Sequence, residues 1–129
     1  MRSLTSLNSH ESLRILVVED DVMLATTLGE MLVGMGHNVC ATAATQTDAI
    51  DAAFQHQPDL MIVDYSLRHG TGTSAVDEIL RGGPMPHFFI SGNGWRIRAI
   101  RPDAVILQKP FRSADLTKAI DTALKVAAV

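Results

Sequence analysis

Apolar residues in this chain fall into short unbroken runs separated by longer stretches of helical spacing, and the two kinds of segment alternate. The runs Arg14 to Val18 and Asp59 to Val63 are bounded by polar residues and too short for helices, so both read as buried strands. Asn38 to Thr42 reads as a weaker strand, His87 to Ile90 as a fourth and Ala104 to Leu107 as a fifth. Between them, Val22 to Val33 repeats at helical spacing behind acidic residues and stops at Gly34 and Gly36. Thr47 to His56 predicts a second helix, closed by Pro58, with Ala49, Ile50, Ala53 and Phe54 on its buried face. Thr73 to Leu80 predicts a third, stopped by Gly82-Gly83-Pro84, and Trp95 to Arg101 leaves room only for a short fourth whose Ile97 and Ile100 pack inward. Ser113 caps a fifth that runs towards Ala127. This alternation implies an α/β fold, a doubly wound five-stranded parallel sheet with right-handed crossovers and helices on both faces.

In such a sheet the working crevice lies outside the carboxyl ends of the strands. Glu19, Asp20, Asp64, Ser91 and Lys109 each sit at or just after the end of a predicted strand, so one crevice collects them all. Clustered carboxylates raise one another's pKa, a penalty that a hard cation such as Mg2+ relieves. One of Asp20 and Asp21 is also expected to cap the first helix, which leaves the other carboxylates unexplained by capping. Taken alone, Ser91 before Gly92 reads as turn chemistry and Lys109 as a solvated charge.

Composition narrows the field. A chain of 129 residues with 47% hydrophobic residues is expected to form one domain over 13–129 behind a mobile polar leader over 1–12. The net charge of −3 gives no broad field for nucleic acid or an anionic membrane. No apolar stretch is long enough to span a bilayer, and the first twelve residues lack the apolar centre of a signal peptide, so a cytoplasmic location is expected. The single Cys40 excludes an internal disulfide and reads as a core thiol. His10, His37, His56, His69 and His87 share no metal-ligand spacing and are expected at the surface or in loops.

From Arg14 to Val126 the sequence resembles the receiver domain of two-component response regulators, of the single-domain CheY-like kind. The resemblance rests on Ile15-Leu16-Val17-Val18-Glu19-Asp20-Asp21, on Asp64 ending the third strand, on Ser91 ending the fourth, and on Lys109-Pro110-Phe111 after the fifth. It implies the flavodoxin-like strand order 2-1-3-4-5. It implies Asp64 as phosphoacceptor, Mg2+ held by Asp20 and Asp64 with Glu19 acting through water, and the backbone carbonyl of Ser66 as a further ligand. Ser91 and Lys109 would bind the phosphoryl group, with the Lys109-Pro110 bond cis. The donor would be a histidine kinase or a histidine phosphotransfer protein, and output would pass to an unidentified downstream protein.

Three departures bear on switching. Ser91 stands where the family usually has Thr, which keeps the hydroxyl. Ile106 stands where it usually has the aromatic that couples the site to the surface, and the loop after Asp64 lacks the family's frequent Pro. Trp95, Arg96 and Arg98 are expected to form a state-dependent protein interface, with homodimerisation through the same face left open. No effector segment is expected after the last helix, so the chain reads as a stand-alone receiver or a fragment of a longer regulator. Two other readings are carried. One is a binding module indifferent to phosphorylation, suggested by Ile106. The other is an aspartyl-phosphate phosphohydrolase, disfavoured because Ser66 occupies the position where such enzymes carry an acid/base Asp.

Overall fold

The structure, a computed structural model, describes residues 11–128. Of the predicted leader only Glu11 and Ser12 fall within that range, and His10 lies outside it. The elements run β1 (Arg14–Val18), α1 (Val22–Gly34), β2 (Asn38–Ala43), α2 (Gln46–His56), β3 (Leu60–Asp64), α3 (Gly72–Leu80), β4 (His87–Ser91), α4 (Gly94–Ile100), β5 (Ile106–Gln108) and α5 (Ser113–Ala128). The strands form one parallel sheet in the order β2-β1-β3-β4-β5.

Strand alternation explains why both faces of this sheet are covered. Ile15, Val17, Leu60, Ile62, Phe88, Ile90 and Leu107 point to one face, where Leu28 and Leu32 of α1 and Leu116, Ile120 and Leu124 of α5 meet them. Their neighbours Leu16, Val18, Met61, Val63 and Phe89 point to the other, against Ala49 and Ala53 of α2, Ala75 and Val76 of α3, and Ile97 of α4. Phe88 and Phe89 are both fully buried, one to each face. Each contributes about 1.5–3 kcal/mol by the usual scale for burying a large apolar side chain. After β1 the chain crosses to β2 on one side and then returns to β3 on the other, so the order reverses between β1 and β3. That reversal opens the crevice beyond the ends of these strands.

Several expectations need correction. Phe54 is 85% exposed: the inward stripe of α2 is Ala49 and Ala53, one turn apart, and the residue next to Ala53 is rotated about 100° away from it. Ile100 is also exposed, because α4 ends there and only Ile97 faces the core. β5 pairs Ile106, Leu107 and Gln108 with Phe89, Ile90 and Ser91, so Ala104 and Val105 precede the strand. His37 lies in the loop between α1 and β2, as expected, but is buried rather than at the surface. Its Nδ1 accepts the Leu13 N–H at 3.1 Å, and burial pushes its pKa down. His87 is half-buried on β4, with Nδ1 2.8 Å from the Met85 carbonyl oxygen. Cys40 is only partly buried on β2. At the last helix the Leu116 N–H bonds to the Arg112 carbonyl, and the Arg112 N–H donates to Asp115 Oδ2 at 2.9 Å. Arg112 is therefore the cap and Ser113 the first helical residue.

Candidate functional site

β1 delivers Glu19 and Asp20 to the crevice, and β3 delivers Asp64. Glu19 and Asp64 are buried, Asp20 half-exposed, and one ligand oxygen from each of the three lies within 4.8 Å of the others. Asp21 takes the capping role at α1, its Oδ1 accepting from Met23 N–H at 3.0 Å and Leu24 N–H at 3.2 Å. Asp20 is left to face the crevice with its acidic neighbours.

Lys109, just past β5, completes the charge pattern. Its Nζ lies 3.1 Å from Asp64 Oδ2 and 3.6 Å from Glu19 Oε1, and its N–H donates to the Ser91 carbonyl at 3.0 Å. The peptide bond that follows, to Pro110, is cis. Burial opposes the Lys109 ammonium, but its hydrogen bond to Asp64 and the charges of Asp64 and Glu19 outweigh burial and raise its pKa. Glu19 goes the other way from a working carboxylate. Burial first, then its hydrogen bond with Asp64, pushes it up to about 8. Its Oε1 is buried with no hydrogen-bond partner. A buried carboxylate oxygen with no hydrogen-bond donor, facing the Lys109 ammonium at 3.6 Å, beside two more acidic groups is a donor set that suits a hard cation, so these residues fit Mg2+.

Ser91 is buried at the end of β4, and its Oγ accepts the Asn93 N–H at 2.9 Å, the turn chemistry that its sequence context offers. A hydroxyl that accepts there keeps its own proton free to donate. Ser66 stands two residues past Asp64 in an exposed loop closed by its bridge to Thr71. Ile106 packs close to Gly94 at the start of α4. Trp95 is 67% exposed, with the Arg96 guanidinium 5.5 Å from its ring centre. Arg98 is turned away from them, its Nη1 3.4 Å from the Ala104 carbonyl oxygen in the turn before β5.

Sequence reasoning passed over two residues at this site. Gly72 donates its N–H to the Tyr65 carbonyl at 2.7 Å, and a Cβ on it would collide with the backbone carbonyl of Asp64. Its position after Gly70 marks a loop but does not reveal that contact. Gln108 donates from Nε2 to the Gly92 carbonyl at 2.9 Å, fastening β5 to the turn after Ser91. No signal in the sequence marks that bond. Among the described residues no helix is long and apolar enough to cross a membrane.

The family model for the response regulator receiver domain matches residues 15–121. The phyllosphere-induced regulator PhyR of Methylorubrum extorquens is 34% identical over 114 residues, covering 85% of this chain and 43% of that protein. The transcriptional regulatory protein PdtaR of Mycobacterium tuberculosis is 31% identical, covering 86% of this chain and 56% of its own length. The chain thus spans about half the length of these curated relatives. The solution structure of the receiver domain of Erythrobacter litoralis PhyR superposes with a TM-score of 0.82 at 29% identity, covering 92% of this chain and 94% of that one. With the topology and the sequence match in agreement over most of its length, the chain belongs to the response regulator receiver domain family.

Proposed function

We propose that this receiver accepts a phosphoryl group on Asp64 from a phosphohistidine on a kinase or phosphotransfer protein, and signals by binding another protein. The observation that carries the reading is the Lys109 ammonium 3.1 Å from Asp64 Oδ2, with Glu19 and Asp20 grouped beside them. An Asp64 carboxylate oxygen forms the new bond to phosphorus while the bond to the donor imidazole nitrogen breaks and that nitrogen keeps the electron pair. Phosphoryl transfer needs positioning and charge neutralisation more than covalent help. Asp20 and Asp64, with Glu19 through water and the Ser66 carbonyl, would hold Mg2+, which when bound neutralises charge on the phosphoryl oxygens. Lys109 gives up part of its pairing with Asp64 to a phosphoryl oxygen. Ser91 donates its hydroxyl proton to another while still accepting from Asn93. PhyR and PdtaR are both regulators by name, which supports a signalling role over a phosphohydrolase.

Output is assigned to the exposed Trp95 and Arg96 on α4, an aromatic and a cation of the kind enriched at binding hot spots. The donor, the downstream protein and a cytoplasmic setting follow from the same reading. A second reading, binding that ignores phosphorylation, is favoured by Ile106, whose aliphatic side chain lies against Gly94 where the family's mobile ring is expected. Intact-mass measurement after incubation with a small phosphoryl donor decides between them. One Mg2+-dependent adduct on the wild type, absent from Asp64→Asn, is expected. No adduct on folded protein, with a cognate donor also failing, would leave the second reading in place.

A further inference from the structure

Glu19 and Asp64 stand on or beside strands, but the Ser66 carbonyl belongs to a loop, and a loop that carries a ligand has to be held. The loop over 65–71 is closed on itself by the Gly72 N–H to the Tyr65 carbonyl and by the bridge between Ser66 and Thr71. It is gripped from outside by the segment joining β2 to α2. The Arg68 N–H donates to the Ala44 carbonyl at 3.1 Å and the Gln46 N–H to the His69 carbonyl at 2.9 Å. Gln46 Oε1 accepts the Thr71 N–H at 3.3 Å. The same segment reaches the opposite side of the site, where the Ala43 carbonyl accepts the Glu19 N–H at 2.8 Å.

Residues 43–46 therefore bracket the backbone carriers of both Glu19 and Ser66. The loop is shaped around this contact. Gly70 has a φ of +85°, open to glycine, and a Cβ there would collide with the Gln46 side chain. The loop's lack of proline gains a physical meaning too, since Arg68 and Thr71 both give their N–H groups to the bracket and proline has none to give.

We propose that Gln46 is a positioning residue for the metal site: its side-chain amide, by fixing the loop that carries Ser66, raises the affinity for Mg2+. This rests on the metal site proposed above. Apparent affinity falls with the fraction of molecules that hold the binding-competent loop. Loss of one neutral hydrogen bond is expected to weaken Mg2+ binding roughly threefold to tenfold.

The test is a calorimetric Mg2+ titration of the full chain at fixed pH and ionic strength, with thermal unfolding in chelator alongside. Gln46→Ala is expected to bind more weakly by that factor, and Gln46→Glu, which keeps the acceptor oxygen, to bind at least as tightly as wild type. Ala53→Gly weakens α2 without touching the loop, and its Mg2+ affinity is expected to stay at the wild-type value. Equal affinity of Gln46→Ala and wild type, or equal weakening in Ala53→Gly, overturns the positioning role while the metal site stands. A wild-type chain that binds no Mg2+ overturns the metal assignment itself.

Discussion

The β3–α3 loop and the segment from β4 through α4 to β5 flank the same carboxylates, yet they are held very differently. The first is tied to the β2–α2 segment by Arg68, His69 and Thr71, bridged internally from Ser66 to Thr71, and wedged against the Asp64 backbone by Gly72. The second rests on a seven-residue helix with no side-chain cap at Asn93 and a single buried residue, Ile97. It is further fastened by Asn93 N–H to Ser91 Oγ, Gln108 Nε2 to the Gly92 carbonyl, Arg98 Nη1 to the Ala104 carbonyl and an Arg101–Asp77 ion pair that ties the end of α4 to α3. Local stability follows buried contacts and protected hydrogen bonds, so the first side, closed by backbone bonds on both flanks, is expected to open less readily than the second, whose ties are mostly exposed side chains. In the proposed function, ligand binding and output fall on opposite sides of Asp64.

The largest effect that would break this comparison lies on the rigid side. Gly72→Ala forces a methyl into the Asp64 carbonyl and is expected to destabilise the fold by about 1–3 kcal/mol, the usual range for overpacking, as measured by urea unfolding. Unchanged stability would mean that this side yields as readily as the other.

The next effect is one of pH. The Glu19 carboxyl is held up to about 8 in the fold against an ordinary 4.5. Below pH 4.5 it is protonated in both states, and its contribution is fully present. As pH rises from there towards 8 the unfolded chain ionises first, so metal-free stability falls through that window. Glu19→Gln is expected to flatten the fall in unfolding midpoint against pH, and Mg2+ to restore stability at the alkaline end. A profile identical in wild type and Glu19→Gln would remove Glu19 from the account.

The side holding α4 offers the smallest effects. Gln108→Ala removes the tie to Gly92 and is expected to speed amide exchange over 92–96 by roughly threefold to tenfold, while the 65–71 loop is unaffected. Trp95→Ala is expected to leave fold and phosphorylation unchanged and to weaken partner binding in one state only.

How much of this was legible beforehand differs along the same division. β1, β3 and β4 are apolar runs that only a strand buried on both faces explains, and they carry the carboxylates and Ser91 to their ends. Helix faces were harder to read. On α2 small alanines make the packed stripe, so the large Phe54, which spacing alone assigned to the core, is free to point outward. His37 does lie in a loop, between α1 and β2, but its burial could not be read from the sequence because the Leu13 N–H that it satisfies lies 24 positions away. Gln46 was invisible for the same reason. It is a polar residue at a helix start, and its partner Thr71 is 25 residues on. Long-range hydrogen bonds between loops leave no periodic trace, and both the bracket around the Ser66 loop and the Gln108 tie are made of them.

Asp64 as the acceptor of the phosphoryl group is the claim on which the rest depends. Borohydride reduction of the protein after incubation with phosphodonor and Mg2+, followed by peptide sequencing by mass spectrometry, converts an acyl phosphate into a stable alcohol at the modified position. The account predicts homoserine at position 64 and nowhere else, lost when Mg2+ is withheld. Reduction at position 20 or 21 instead, or none at 64 after treatment with a competent donor, would contradict it.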